Sequence, residues 1–469
     1  MLKLKKHQDE NMFFVVLISC IAAIGGFLFG FDSGVINGTI EGLQHAYHST
    51  SVGSGFNVAS MLFGCAIGAF FAGRLSDRWG RRTVLIISAI FFIISAWGSG
   101  MAGSSGLFVF FRVLGGFAVG AASILSPIYI AEIAPARYRG ALASLQQVSI
   151  LTGLLAAFLS NYLLTKIAGT SMTILWLNYE AWRWMFWVEI LPAVIFLFAL
   201  LFIPESPRYL VAENQISRAR KVLTRLYGLH QGRIKLSEIH DSLLSDHPPS
   251  FTDLKDSKTG KIQHVMWVGI GLAAFQQLIG INVVFYYGDV LWQAVGFSEE
   301  KALLINVSTG AVSVAACIVA MFLIDKWGRK PFLLLGSVGM SIALGLMIFA
   351  FSQADMGSNG KLILGDFGLL ALVSANAYVF FFNLSWGPIM WVMLGEMFPN
   401  QIRGSGLAVA GFVQWGANFC VTVSFPLFLS ALGLAVTYSF YGISALLSII
   451  FVFIYVYETK GKELESMPY

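Results

Sequence analysis

Asp77-Arg-Trp-Gly-Arg-Arg82 returns almost letter for letter as Asp325-Lys-Trp-Gly-Arg-Lys330. A second string obeys the same rule: Glu132-x-x-Pro135-x-x-x-Arg139-Gly140 returns as Glu396-x-x-Pro399-x-x-x-Arg403-Gly404. The first pair follows the second and eighth long apolar segments, and the second pair follows the fourth and tenth. A chain that repeats its loop motifs at half-length is built of two like halves. Parallel repeats in a membrane are related by an axis along the membrane normal and leave a solute site between them.

The apolar segments fall near 13–37, 52–73, 83–102, 107–131, 140–165 and 182–203, then 262–294, 300–324, 332–352, 364–394, 402–431 and 433–457. Each approaches or exceeds the roughly 20 residues that span a bilayer. Of the 469 residues, 57% are hydrophobic and 12% charged, against about 25% charged in a soluble domain. The expected fold is an all-α membrane protein of twelve transmembrane helices in two pseudo-symmetric six-helix halves. Residues 1–204 form the first half, 205–261 a cytoplasmic linker, 262–458 the second half and 459–469 a short tail. The linker holds ten Lys/Arg residues and helix-like strings such as ISRARKVLTRLYGL at 216–229.

Loop charge sets the orientation. With both termini cytoplasmic, the outside loops hold only Lys166, Arg183, Lys301 and Lys361. Arg112 lies within a span, and the other 25 of the 30 Lys/Arg residues face inside. That distribution leaves a net charge of +5 with no nucleic acid to explain. The opening Met1-Leu-Lys-Leu-Lys-Lys precedes a span rather than a cleavage site. Cys20, Cys65, Cys317 and Cys420 lie in apolar segments without metal or disulfide spacing and read as small core residues. No in-membrane metal set, nucleophile–base pair or P-loop is visible, so neither an enzyme nor a cofactor is expected. Compact outside loops point to a bacterial inner membrane, and Asn37-Gly-Thr, a glycosylation sequon placed at a helix end, does not argue otherwise.

Two charges sit inside the spans. Asp32 lies about five residues from the outer end of the first span, and Arg112 about five from the outer end of the fourth. The two helices run in opposite directions, so at about 1.5 Å rise per residue both reach the same depth and can pair. Charges at such depth are costly and face a partner or a cavity. An Asp beside an Arg keeps its charge, whereas an Asp alone in a dry site takes up a proton. A protein alternating between these arrangements binds and releases a proton in each cycle.

Amides and indoles gather in other spans: Gln146 and Gln147 in the fifth, Gln276, Gln277 and Asn282 with Tyr286 and Tyr287 in the seventh, Trp386, Pro388 and Trp391 in the tenth, and Gln414, Trp415 and Asn418 in the eleventh. Such side chains offer donors, acceptors and flat apolar faces together, which is what a sugar needs. Gln277 and Asn282 are five apart, only roughly one face of a regular helix. Gly280 and Gly288 would interrupt the seventh span and let both point inward, an irregularity tolerated where it lines a cavity.

The strings GRLSDRWGRR at 73–82, PESPRYL at 204–210, QQLIGINVVFYY at 276–287 and SWGPIMWVMLGEMFPNQIRG at 385–404 make the chain resemble the sugar porter family of the major facilitator superfamily. The resemblance covers nearly the whole chain and is greatest to bacterial proton-coupled xylose, galactose and glucose symporters. It implies Gln147, Gln276, Gln277, Asn282, Trp391 and Gln414 as sugar ligands, with Phe29, Tyr286 and Trp415 as wall or gate. It implies that Asp32 at the GFDSG position, paired with Arg112, is the proton site, since facilitative relatives carry a neutral residue there. It also implies that Asp77, Arg78, Glu132, Arg139, Asp325, Arg329, Glu396 and Arg403 form a cytoplasmic gate, pairing across the halves when that side closes. Relatives commonly have an asparagine in the middle of the eighth span, where this chain has Ser313, and Asn306 is almost two turns away.

The expected function is therefore proton-coupled monosaccharide symport by alternating access. A facilitative uniporter and a proton symporter of myo-inositol or another polyol are the alternatives, and a sugar sensor is disfavoured by the short tail. The partners expected are the sugar, the proton and the bilayer. Because each half supplies the other's partner, a monomer suffices.

Overall fold

A computed structural model describes residues 11–48, 51–135, 138–245, 254, 260–356, 362–398 and 402–460. It contains twelve helices long and apolar enough to cross a membrane: Met12–Tyr47, Gly53–Trp79, Arg81–Met101, Ser105–Ile133, Ser144–Ala168, Ala181–Phe202, His264–Ala294, Glu299–Ile324, Arg329–Ser352, Gly365–Met397, Gly404–Leu432 and Leu434–Tyr455. These are the twelve segments expected from the apolar pattern, and they are called the first to twelfth spans below. The linker between the sixth and seventh forms helices Pro207–Ala212 and Ile216–Ser245, the latter kinked at Gly228. The linker is tied to the first half: Asn11 N donates to Leu226 O at 3.0 Å, Tyr227 Oη donates to Ile133 O at 2.8 Å, and the Arg225 guanidinium lies 3.8 Å from the Phe14 ring centroid.

Lipid offers no hydrophobic drive for helices to associate, so close backbone approach does the work. The first span meets the fifth through Gly30, where an added Cβ would overlap the Ile150 carbonyl.

The two halves repeat a capping device at the face that carries the linker. Gly80 (φ 92°) and Gly328 (φ 96°) turn the chain into the third and ninth spans in a left-handed conformation that only glycine adopts freely. Glu205 then accepts from the first free amides of the third span, Arg81 N at 2.9 Å and Arg82 N at 3.1 Å. Glu458 does the same for the ninth, from Arg329 N and Lys330 N, both at 3.0 Å. A carboxylate at a helix N-terminus satisfies orphan donors and the helix dipole together. Burial pushes the Glu458 carboxyl up, but the Arg329, Lys460 and Lys330 amides and the Arg329 charge outweigh it and hold the group below its ordinary value.

The seventh span breaks at Gly280 (φ 87°), between helices His264–Leu278 and Ile281–Ala294. A Cβ there would sit 2.5 Å from the Tyr441 ring, so the site excludes larger residues by space as well as by angle. Gly288 corrects the expectation of a second interruption, because it lies inside a continuous helix. It serves as a gap instead: Asn306 and Asn37 fill the place its Cβ would take.

Cys65 and Cys317 are buried as expected, but Cys20 and Cys420 are exposed, on outward surfaces of the first and eleventh spans. The apolar setting that suggested core packing there is a bilayer-facing surface.

Candidate functional site

Asp32 and Arg112 are each 1% exposed and are ion-paired through Asp32 Oδ1 and Arg112 Nη1. The guanidinium is further held by Met61 Sδ, 2.9 Å from Nη2, and by the Phe186 ring, with a 5.5 Å centroid distance. The depth argument thus placed the two residues correctly. It missed a third. Glu189, 2% exposed, is buried near enough to the pair to interact electrostatically with Asp32 and Arg112. It sits where the sixth span changes from helix Ala181–Val188 to helix Ile190–Phe202. Pro192 has no N–H to give the Val188 carbonyl, which is why the helix loosens there. The signal was available, since Glu189 lies inside the apolar segment 182–203.

Two buried carboxyl groups thus lie near one guanidinium, of which Asp32 is ion-paired with it. With both ionised the cluster carries a surplus negative charge, and one proton shared between the carboxyls neutralises it. Asp32 Oδ2 and Arg112 Nε have no hydrogen-bond partner among the described residues.

The amides form a second cluster beside the break in the seventh span. Gln276 Nε2 donates to Trp386 O at 3.0 Å, and its Oε1 accepts from Gln277 Nε2 at 3.2 Å and Gln414 Nε2 at 3.3 Å. Asn282 Nδ2 donates to Gln277 Oε1 at 2.6 Å, which the left-handed turn at Gly280 makes possible. Asn418 Nδ2 donates to Tyr286 Oη at 3.4 Å. Phe29 of the first half meets Trp415 of the second edge-on, with centroids 5.4 Å apart. Gln414 Oε1 and Trp415 Nε1 are buried without a protein partner. The cluster therefore spans both halves and retains hydrogen-bonding capacity.

Other residues fall differently. Gln147 and Trp391 are half-buried and show no side-chain hydrogen bond among the described residues, while the neighbouring Gln146 is buried with both amide atoms unpartnered against Gly26. Trp386 is structural: its Nε1 donates to Ser337 Oγ at 2.9 Å. Ser313 turns its hydroxyl back to Thr309 O at 2.8 Å, and Asn306 serves elsewhere.

Asn306 closes the face opposite the linker. Its Nδ2 donates to Asn37 Oδ1 at 2.7 Å, and Asn37 Nδ2 donates to Phe285 O at 2.7 Å, joining first, seventh and eighth spans. Nearby, Ser171 N donates to Glu299 Oε1 at 2.9 Å, and Phe56 and Phe63 of the second span meet Phe419 of the eleventh. On the linker face, cross-half pairing of the gate residues was expected only when that side is closed. Three ion pairs there lie within a half: Arg81 with Asp77 at 3.0 Å and with Glu132 at 3.3 Å, and Arg329 with Glu396 at 2.8 Å. Arg81, not Arg78, makes the first-half contacts, because it begins the third span and points back at the end of the fourth. The side chains of Arg139, Asp325 and Arg403 lie outside the described residues. The hydrogen bonds of Asn37 with Phe285 and Asn306, and of Ser171 with Glu299, join the halves toward the face opposite the linker.

The sequence from residue 18 to 469 matches the family model described as sugar (and other) transporter. The chain belongs to this family. It is 48% identical over 464 residues to the glucose transport protein of Synechocystis sp., covering 98% of both chains. It is 37% identical over 499 residues to the D-xylose-proton symporter of Escherichia coli K12, covering 98% of this chain and 96% of that one. The partially occluded inward-open structure of the xylose transporter XylE from E. coli superimposes with a TM-score of 0.81 at 33% identity, covering 95% of this chain and all of the other. The same protein bound to 6-bromo-6-deoxy-D-glucose, described as a proton:xylose symporter of the major facilitator superfamily, gives 0.79 at 36% identity. Family and fold make this chain a multi-pass sugar transporter of that superfamily, not an enzyme.

Proposed function

We propose that the protein is a proton-coupled monosaccharide symporter of the bacterial inner membrane, working by alternating access with the termini and the linker on the cytoplasmic side. The observation that carries this reading is the buried Asp32–Arg112 ion pair, with the Glu189 carboxyl also buried near it, in a chain whose amides cluster around the break in the seventh span. Gln276, Gln277, Asn282 and Gln414 bind the sugar hydroxyls, with Gln147 from the first half. Trp391, Trp415, Phe29 and Tyr286 supply apolar faces. The relative named a glucose transport protein favours a hexose, and the one named a D-xylose-proton symporter supports the coupling.

Mechanistically, sugar binding draws the halves together around the amides and moves Arg112 relative to Asp32. Loss of the guanidinium contact favours a proton on the carboxyl pair, and its return expels the proton toward the open side. One charge moved through about 100 mV gains about 2.3 kcal/mol, enough for a sugar gradient of some tens-fold.

The test uses proteoliposomes with an imposed pH gradient. Asp32→Asn is expected to abolish accumulation while equal-pool sugar exchange continues. Undiminished accumulation by the variant overturns the proton assignment and leaves a uniporter.

A further inference from the structure

A third acidic group lies in the spans and plays no part in the reading above. Asp289, in the outer half of the seventh span, is 1% exposed. Its Oδ2 accepts from Gln293 Nε2 at 3.1 Å, and its Oδ1 has no partner among the described residues. It follows Gly288, whose missing Cβ admits the Asn37–Asn306 bridge, so it rides on the segment that shuts the outer side.

The charged groups acting on Asp289 are both acidic. Glu299 stands at the start of the eighth span and Glu41 at the outer end of the first. The cationic and titratable groups on those elements, Lys301 and His45, are exposed to solvent. The eleventh span brings no charged side chain to the seventh, and no ion pair to Asp289 forms among the described residues. A carboxylate so placed is buried without a cation and faces two like charges, which is among the costliest arrangements in a protein. Opening the outer side separates the seventh span from the first and returns the group to water.

We infer that Asp289 binds a proton taken from the outer solution when the outer gate closes and returns it there when the gate opens. The inference rests on the alternating-access reading. Closed to the outside, the carrier keeps this proton sealed on the outer side while the inner side opens, so the proton is not transported. External pH then sets how readily the gate closes, while the number of protons carried per sugar is fixed elsewhere. This separates Asp289 from Asp32 and Glu189.

Spin labels at Gly103→Cys and Gln353→Cys, in the full chain freed of its four native cysteines, report the distance across the outer face. Measurements run from about pH 5 to about pH 9, in an Asp32→Asn background that silences the other cluster. The closed population is expected to fall as pH rises, by up to about tenfold in the closed-to-open ratio per pH unit where one proton is linked. In Asp289→Asn and Asp289→Ser it is expected to stay closed across the range. A pH response unchanged in both variants overturns the inference, as does a background chain with no response. A label pair that is insensitive to saturating glucose in the otherwise unsubstituted chain counts against the transport reading instead, so the two failures are distinguishable.

Discussion

At the residue scale, the proton cluster makes a sharper prediction than the Asp32–Arg112 pair alone. Glu189 puts a second buried carboxyl near the Asp32–Arg112 pair. Glu189→Gln keeps the shape and removes that titratable group, and the pH profile of sugar accumulation is expected to change. A profile that does not move assigns Glu189 to packing. In the amide site, Gln277→Ala leaves Asn282 Nδ2 without its 2.6 Å acceptor and the sugar without one amide. An unmade buried hydrogen bond costs about 1–3 kcal/mol, so the KM for equal-pool exchange is expected to rise at least about fivefold. What was legible at this scale was chemistry tied to depth: Asp32 and Arg112 could be matched because helix rise converts sequence position into height. Glu189 and Asp289 were equally visible as charges inside apolar segments. Glu189's neighbours, Asp32 and Arg112, come from spans distant in sequence, and no count along the chain reveals them.

At the scale of elements, the broken seventh span organises the sugar site. The left-handed turn at Gly280 and the Tyr441 ring against it predict that Gly280→Ala loses both stability and transport. A left-handed alanine costs about 1–2 kcal/mol before any overlap with Tyr441 is counted, and the thermal midpoint in detergent should fall accordingly. The paired caps make a pH prediction. Glu458 is held below its ordinary value of 4.5, so its contribution is present above that value and is lost as pH falls through the lower folded value. Glu458→Gln is therefore expected to destabilise the protein at neutral pH, by about 0.3–1 kcal/mol as for an exposed charge at a helix end. The deficit should shrink as pH falls through that lower value. The spans and the repeated loop strings could be read directly, because a bilayer imposes length and composition. The capping repeat was harder to see: Glu205 and Glu458 sit in dissimilar strings, PESPRYL and YETKGK, and only the fold shows that Ser206 and Thr459 then hydrogen-bond Glu132 and Glu396 in parallel fashion. The gate motifs could be found but not paired, since a motif does not say whether its partner lies in its own half.

For the whole molecule, the hydrogen bonds between halves define one face as closed. The Asn37–Asn306 bridge lies at the centre of that closure. Cysteines at both positions, oxidised to a disulfide, are expected to stop exchange completely and to let it resume on reduction, while either single cysteine still transports. Exchange that continues through the crosslink would mean that this face need not open. The small pairing of Ser171 with Glu299 gives a milder form of the same prediction: Glu299→Gln should loosen closure without abolishing transport.

The central claim is that sugar and proton cross together, and the most direct test measures the proton itself. A pH dye trapped in proteoliposomes, with potassium and valinomycin to hold the potential at zero, is followed as glucose or xylose is added outside. The account predicts prompt acidification of the interior in step with sugar entry, absent in Asp32→Asn. Sugar entry at the same rate with no acidification in the unsubstituted protein would contradict it.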